Sequence, residues 1–250
     1  EQLGGDQPAK GAETLQQLFD EHPSLSPIAI RAAEGYAEAG DLAAATRMIE
    51  RAVEAGDCVV RVFISGGTDP KRLGTESRTV VFAESANPES DAMQLQVRTA
   101  PWHSDGEWFE LTGAKALSYG FNLAASVVAQ EDGFDDALLI GRDGHVLEGP
   151  TFSIGWIRDG VLHTPGLTLG ILESITRSAV IDVAARIGMD MRQGFYTLDA
   201  VLDADEVVAM STVREVRAVG RVDDHIFSPG DGTAALQAGF RELVDEELGR

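Results

Sequence analysis

Twice in quick succession the chain runs from an apolar stretch through Arg-Asp-Gly into a second apolar stretch: "DALLIGRDGHVLEG" over 136–149 and "FSIGWIRDGVLHTP" over 152–165. An Asp-Gly pair between such runs is a short-range hairpin signal, because the tight turn needs residues that tolerate positive φ. Two successive hairpins commit the middle of the chain to a sheet. "ADEVVAMST" leads to "EVRAV" and adds further strand character. Between them "ESITRSAVIDVAARIG" has the period of an amphipathic helix ended by Gly188, and "DGTAALQAGFRELVDEEL" supplies a last helix. Ahead of the hairpins, "ALSYGFNLAASVVAQ" predicts a helix from Lys115 to about Gln130.

The first hundred residues read differently. Residues 27–55 carry apolar residues at helical spacing, broken by "AGD", where glycine ends one helix and Asp41 caps the next. Three valine-rich runs follow, "CVVRVFIS", "RTVVFAES" and "MQLQVRTA", each predicted as a strand. The expected organisation is a small α+β lobe over 1–100, an aperiodic interlobe segment over 101–112, and a larger β-rich lobe with flanking helices over 113–250.

Composition narrows the partners. A formal net charge of −21 argues against nucleic acid, which needs a basic surface, and no run of about 18 apolar residues suggests a membrane span. One cysteine, Cys58, leaves no intramolecular disulfide and fits a reducing compartment, so a cytoplasmic location is expected. No positively charged, apolar leader opens the sequence, although it begins at Glu1 rather than methionine, so a clipped start is open.

Of twenty basic residues only Lys10, Lys71 and Lys115 are lysines, and Lys115 stands where an apolar, Ala-rich segment begins. A desolvated lysine loses its proton more readily and its amine can attack a carbonyl. The alternative is a lysine that snorkels from a helix end. Glu148 closes a short strand just before Gly149; it can pair with a protonated ring nitrogen, or be an ordinary turn glutamate. In "LGILESITRS", free N–H groups at Ile175 and Thr176 and the Thr176 hydroxyl can form an anion cup at a helix start, or the segment is a plain N-cap. Ser211 and Thr212 end a strand in two hydroxyls that could serve the same anion. Arg98, Trp102, His103 and Trp108 lie in or near the interlobe segment, where a side chain can reach a substrate carboxylate or wall a pocket.

The order "AKALSY", "DALLIGRDGHVLEG", "RDGVLHTPGLTLGILESITRSAVIDVAARIGM", "LDADEVVAMSTVREVRAV" resembles the class IV aminotransferases, the fold-type IV pyridoxal-phosphate enzymes, over roughly 113–248. That family includes branched-chain and D-amino-acid aminotransferases and aminodeoxychorismate lyases. The resemblance implies a two-lobed α+β fold and pyridoxal 5'-phosphate as cofactor. It implies Lys115 as the aldimine-forming lysine and general acid and base, Glu148 on the pyridine nitrogen, and Tyr119 near the phenolic oxygen. It further implies Ile175, Thr176 and Thr212 in the phosphate cup. In the amino-terminal part "GAETLQQLF" looks like a family strand, and Arg31 falls where a phosphate-binding arginine stands, with Ile28 in place of the usual histidine.

Two positions depart from the pattern: Pro150 follows the glutamate's glycine, and Glu173-Ser174 replaces proline-glycine before the cup. The expected function is amino transfer between a small amino acid and a 2-oxo acid. The alternatives are an aminodeoxychorismate lyase, forming 4-aminobenzoate and pyruvate, and a divergent, noncatalytic relative. The resemblance also implies a homodimer.

Overall fold

The computed structural model describes residues 91–103, 112–116 and 118–249, the backbones of two strands over 58–64 and 79–85, and a few residues nearer the start. Two compact units divide the chain, Glu1–Pro88 and Glu89–Arg250. In the first, β1 (Cys58–Ile64) and β2 (Thr79–Ser85) pair antiparallel, with Cys58 opposite Ser85 and Ile64 opposite Thr79. Ala12, Glu13, Gln16, Gln17 and Asp20 are helical, so the strand expected of "GAETLQQLF" is not formed there. Most of the helical hairpin expected over 27–55, with Arg31, lies outside the described residues.

The second unit is built on an eight-stranded sheet. Its strands are β3 (Met93–Thr99), β4 (Asp136–Ile140), β5 (Ser153–Arg158), β6 (Val161–Pro165), β7 (Met191–Gly194), β8 (Glu206–Ser211), β9 (Glu215–Val222) and β10 (His225–Ile226). The order is β4-β3-β9-β8-β5-β6-β7, with β10 on β9. The run at 93–99, placed by the sequence in the amino-terminal lobe, is an inner strand of this sheet, parallel to both β4 and β9. Its alternation explains why: Met93 and Leu95 are fully buried, and they meet Leu138, Val219 and Val222 in one core.

The second Arg-Asp-Gly is the tight hairpin that the sequence predicts. Asp159 (φ 51°) and Gly160 (φ 74°) both sit at positive φ, and β5 and β6 pair through Trp156–His163 and Arg158–Val161. The first is looser: after β4 the chain returns through single bridges, Ile140 with Val146, and the Leu139 N–H donates to the Glu148 carbonyl at 2.9 Å.

Parallel neighbours need a crossover, and for β3–β4 and β6–β7 a helix lies in it. Helix α1 (Gly120–Glu131) links β3 to β4, and α2 (Ile175–Arg186) links β6 to β7. A short α3 (Leu198–Leu202) precedes β8, and α4 (Asp231–Leu248) closes the unit. Alternation along β8 splits the core. Val207 and Ala209 join Ile154 and Trp156 on one face, while Val208 and Met210 meet Val180, Val183 and Ala184 of α2 with Leu236 and Phe240 of α4 on the other. Among the described residues no helix is long and apolar enough to cross a membrane.

Candidate active site

Strand register determines where the loops meet. Ile154 of β5 lies opposite Ala209 of β8, and Trp156 opposite His163 of β6. The carboxyl ends of β6 and β8 therefore lie at the amino end of β5, the end reached by the 148–152 loop.

Gly113 has φ 75°, and a Cβ there would stand 3.1 Å from the Ile171 carbonyl oxygen. The backbone before Lys115 thus packs against the loop that feeds α2. Lys115 does not open a helix, as its apolar neighbours suggested; α1 starts five residues later, at Gly120. Lys115 is exposed in irregular backbone, with Nζ 5.8 Å from the centroid of the Tyr119 ring. An irregular segment can aim the amine without the fixed direction that a helix imposes.

Glu148 is half-buried, and both carboxylate oxygens accept the Leu172 N–H, at 3.2 and 3.3 Å. Burial pushes its carboxyl up to about 7, against the hydrogen bond from Leu172 and the charges of Lys115 and Arg177. Gly149 is required behind it, because a Cβ would fall 2.1 Å from the Phe152 ring. Tyr119 is pushed up to about 12, first by burial and then by the charge of Glu148, so its hydroxyl remains a donor.

Ser174 caps α2, its Oγ accepting the Arg177 N–H at 3.3 Å. That leaves the N–H groups of Ile175 and Thr176, the first two helical residues, ahead of any intrahelical acceptor. Ile175 is 87% exposed and Thr176 is buried. The Ser174 cap is formed, and the first two helical N–H groups stand at the positive end of the helix. Thr212 is exposed in the turn after β8. Of the proposed substrate contacts, Trp102 is held by its Nε1–H donating to Asn122 Oδ1 at 2.9 Å and by stacking on Phe121. Trp108 lies outside the described residues. Pro150 is buried and Glu173 exposed; the charge of Glu173 acts on Arg177.

Sequence reasoning missed three charged groups. Arg177 is 2% exposed, and it donates to Thr164 Oγ1 (3.2 Å), the Pro165 carbonyl (2.8 Å) and Gln193 Oε1 (2.6 Å), which ties the start of α2 to the ends of β6 and β7. Burial draws its guanidinium below its usual value, opposed by Glu148 and Glu173. Asp136, at the start of β4, is buried, and Arg214 reaches it from the β8–β9 turn. A charge inside the apolar period of α2 was the available signal for Arg177; nothing local marks the other two.

A mixed sheet with crossover helices is the fold-type IV architecture, and the Lys115 amine, the half-buried Glu148 carboxylate and the start of α2 are near one another in it. The amino-transferase class IV family model matches residues 38–222, and the chain belongs to that family of pyridoxal-phosphate enzymes. It is 27% identical over 210 residues to the aminodeoxychorismate lyase of Bacillus subtilis strain 168, covering 79% of this chain and 71% of the lyase. To the branched-chain-amino-acid aminotransferase of Escherichia coli K12 it is 32% identical over 161 residues, 63% of this chain and 52% of that one. The chain thus spans about half the length of that relative. The fold IV transaminase CpuTA1 of Curtobacterium pusillum superposes with a TM-score of 0.70 at 26% identity, over 94% of this chain and 80% of that structure.

Proposed function

We propose that the protein is a pyridoxal-phosphate aminotransferase that moves an amino group between a small amino acid and a 2-oxo acid. The observation that carries this reading is the juxtaposition of an exposed Lys115 amine with the Tyr119 ring and with a half-buried Glu148 on which its charge acts. The donor set fits the cofactor: an amine for an aldehyde, a carboxylate for a ring N–H, and two helix-start N–H groups for a phosphate. When bound, the cofactor supplies an electron sink for the carbanion formed as the Cα proton leaves.

The chain's own residues do the rest. Lys115 would hold the cofactor through Nζ, and its free amine would take up and return the substrate's proton at Nζ as general base and acid. Glu148, positioned by the Leu172 N–H, would accept a hydrogen bond from the ring nitrogen. Tyr119, which keeps its proton, would donate to the cofactor's phenolic oxygen. Ile175, Thr176 and Thr212 bind the phosphate, with Arg31 assigned to the same role from the sequence resemblance.

The lyase reaction is the second reading, favoured by the Bacillus subtilis relative that spans most of the chain. Incubation with L- and D-amino acids and with aminodeoxychorismate separates the two, because amino transfer yields a 2-oxo acid and the lyase yields 4-aminobenzoate and pyruvate. Near-normal turnover of Lys115→Ala, measured without added amines, refutes both.

A homodimer forms part of the proposal. Leu123 (59% exposed) and Val127 (43%), four residues apart on α1, form an exposed apolar strip that a second copy can cover. Light scattering is expected to give about twice the 26.7 kDa chain mass. A turning-over monomer contradicts it. A cytoplasmic location is proposed from the lone cysteine.

A further inference from the structure

Two residues beyond Thr212, the β8–β9 turn carries an arginine to which the reaction above gives no task. Arg214 is fixed at both ends: its N–H donates to Ser211 Oγ at 3.2 Å, and its Nη1 donates to Thr151 Oγ1 at 2.9 Å. Its Cζ lies 5.5 Å from the centroid of the Phe152 ring, over the loop that leaves Glu148. Nη2 stands 3.5 Å from Asp136 Oδ2.

Asp136 does not consume this cation. Its Oδ1 accepts Ser126 Oγ at 2.6 Å and the Ala137 N–H at 2.9 Å, and its Oδ2 accepts the Thr151 hydroxyl at 3.4 Å. The 3.5 Å separation is longer than that of a closed, bidentate pair. A guanidinium has five N–H donors, and the Arg214 side chain remains 25% exposed. The carboxylate and Thr151 therefore hold the fork in place and leave donors unspent on its solvent side.

Among the described residues, Lys115 and Arg177 are committed elsewhere. Lys115 is reserved for the reacting carbon, and Arg177 is buried, with donors on Thr164, Pro165 and Gln193. Lys115 meets the ring of Tyr119, whereas Arg214 lies over Thr151 and Phe152 of the loop that leaves Glu148. The two cations thus stand on different elements of the site, Lys115 on the segment before α1 and Arg214 on the β8–β9 turn. In a chain of net charge −21, an anionic substrate needs such a local cation to overcome the general repulsion.

We propose that Arg214, held by Asp136 and Thr151, is a specificity-determining residue that receives a second carboxylate of the substrate, remote from the reacting carbon. The proposal rests on the aminotransferase reading of the Lys115 site. Such a pair is charge-assisted, so its removal weakens binding of a dicarboxylate by about ten- to a hundredfold.

The test uses cofactor-loaded protein and two unreactive probes, glutarate and pentanoate, whose dissociation constants are measured by calorimetry. Wild type is expected to bind glutarate more tightly. Because Arg214 alone cannot be removed without leaving Asp136 buried and uncompensated, the variant is the neutral pair D136N/R214Q, with melting temperature as the check on folding. It is expected to lose about ten- to a hundredfold for glutarate and far less for pentanoate. Equal loss for both probes, or unchanged glutarate binding, overturns the proposal. If the pair does not fold, wild type decides: no preference for glutarate overturns it. Failure of the aminotransferase reading shows separately, as absence of amino transfer from every amino acid while the glutarate preference persists.

Discussion

Glu148→Gln should stabilise the cofactor-free protein near pH 8 while removing its function. The carboxyl rises from its ordinary 4.5 to about 7 through burial, so the folded state keeps a proton that the unfolded chain has already released. Between these two values the unfolded state binds fewer protons, and stability falls as pH rises. The contribution is intact below about pH 4.5 and is lost as pH climbs through about 7. At about 1.4 kcal/mol per unit, the full loss is about 3 kcal/mol. Glutamine carries no charge to bury, and its oxygen still accepts the Leu172 N–H, so the variant escapes this loss. Urea unfolding of both proteins from pH 4 to 8 should give curves that coincide at the acid end and diverge to about 3 kcal/mol at the alkaline end. Parallel curves across the whole range refute the reasoning. With cofactor bound, a protonated ring nitrogen offsets the buried charge, so the advantage of glutamine should shrink; its turnover should stay low at any cofactor concentration.

Borohydride reduction of the loaded protein should attach the cofactor's mass to the peptide that contains Lys115; labelling at Lys10 or Lys71 refutes the assignment. Thr176→Ala and Thr212→Ala should each weaken cofactor affinity by up to about tenfold, and Arg31→Ala by about ten- to a hundredfold, with turnover recovering in excess cofactor. Normal binding by the arginine variant removes Arg31 from the site. Gly149→Ala should destabilise the protein by about 1–3 kcal/mol, because its Cβ meets the Phe152 ring at 2.1 Å; an unchanged melting temperature contradicts that crowding. Glu206 accepts the N–H groups of Gly230 (2.9 Å), Gly232 (3.0 Å) and Thr233 (2.7 Å) at the start of α4. Burial alone would raise its carboxyl, but these donors hold it below its usual value. Its contribution is present above its ordinary value and lost as pH falls, so wild type and Glu206→Ala should differ by about 2–3 kcal/mol at pH 7 and converge in acid.

What the sequence determined by itself was local and periodic. Asp159-Gly160 specified a hairpin because only residues that tolerate positive φ close so tight a turn, and α2 and α4 declared themselves by apolar spacing and by Gly188. The order of Lys115, Glu148, Thr176 and Thr212 was sufficient to show the family resemblance, since chemistry fixes residue type and the chain fixes order. Tertiary structure decided the rest. Met93–Thr99 alternates like any half-buried strand, and only its parallel pairing with β4 and β9 places it in the large sheet. The run after Lys115 looked helical from its first residue, yet packing of Gly113 against Ile171 keeps that start irregular and leaves the amine exposed. Met191–Gly194 is too short and polar to announce itself; it is a strand because β6 offers it an edge. Asp136 and Arg214 are 78 positions apart in the numbering, and no window of sequence joins them. Their meeting at 3.5 Å follows from the register of β8 on β5 and from the crossover that brings β4 alongside β3, and long-range pairings of that kind exist only once the sheet has formed.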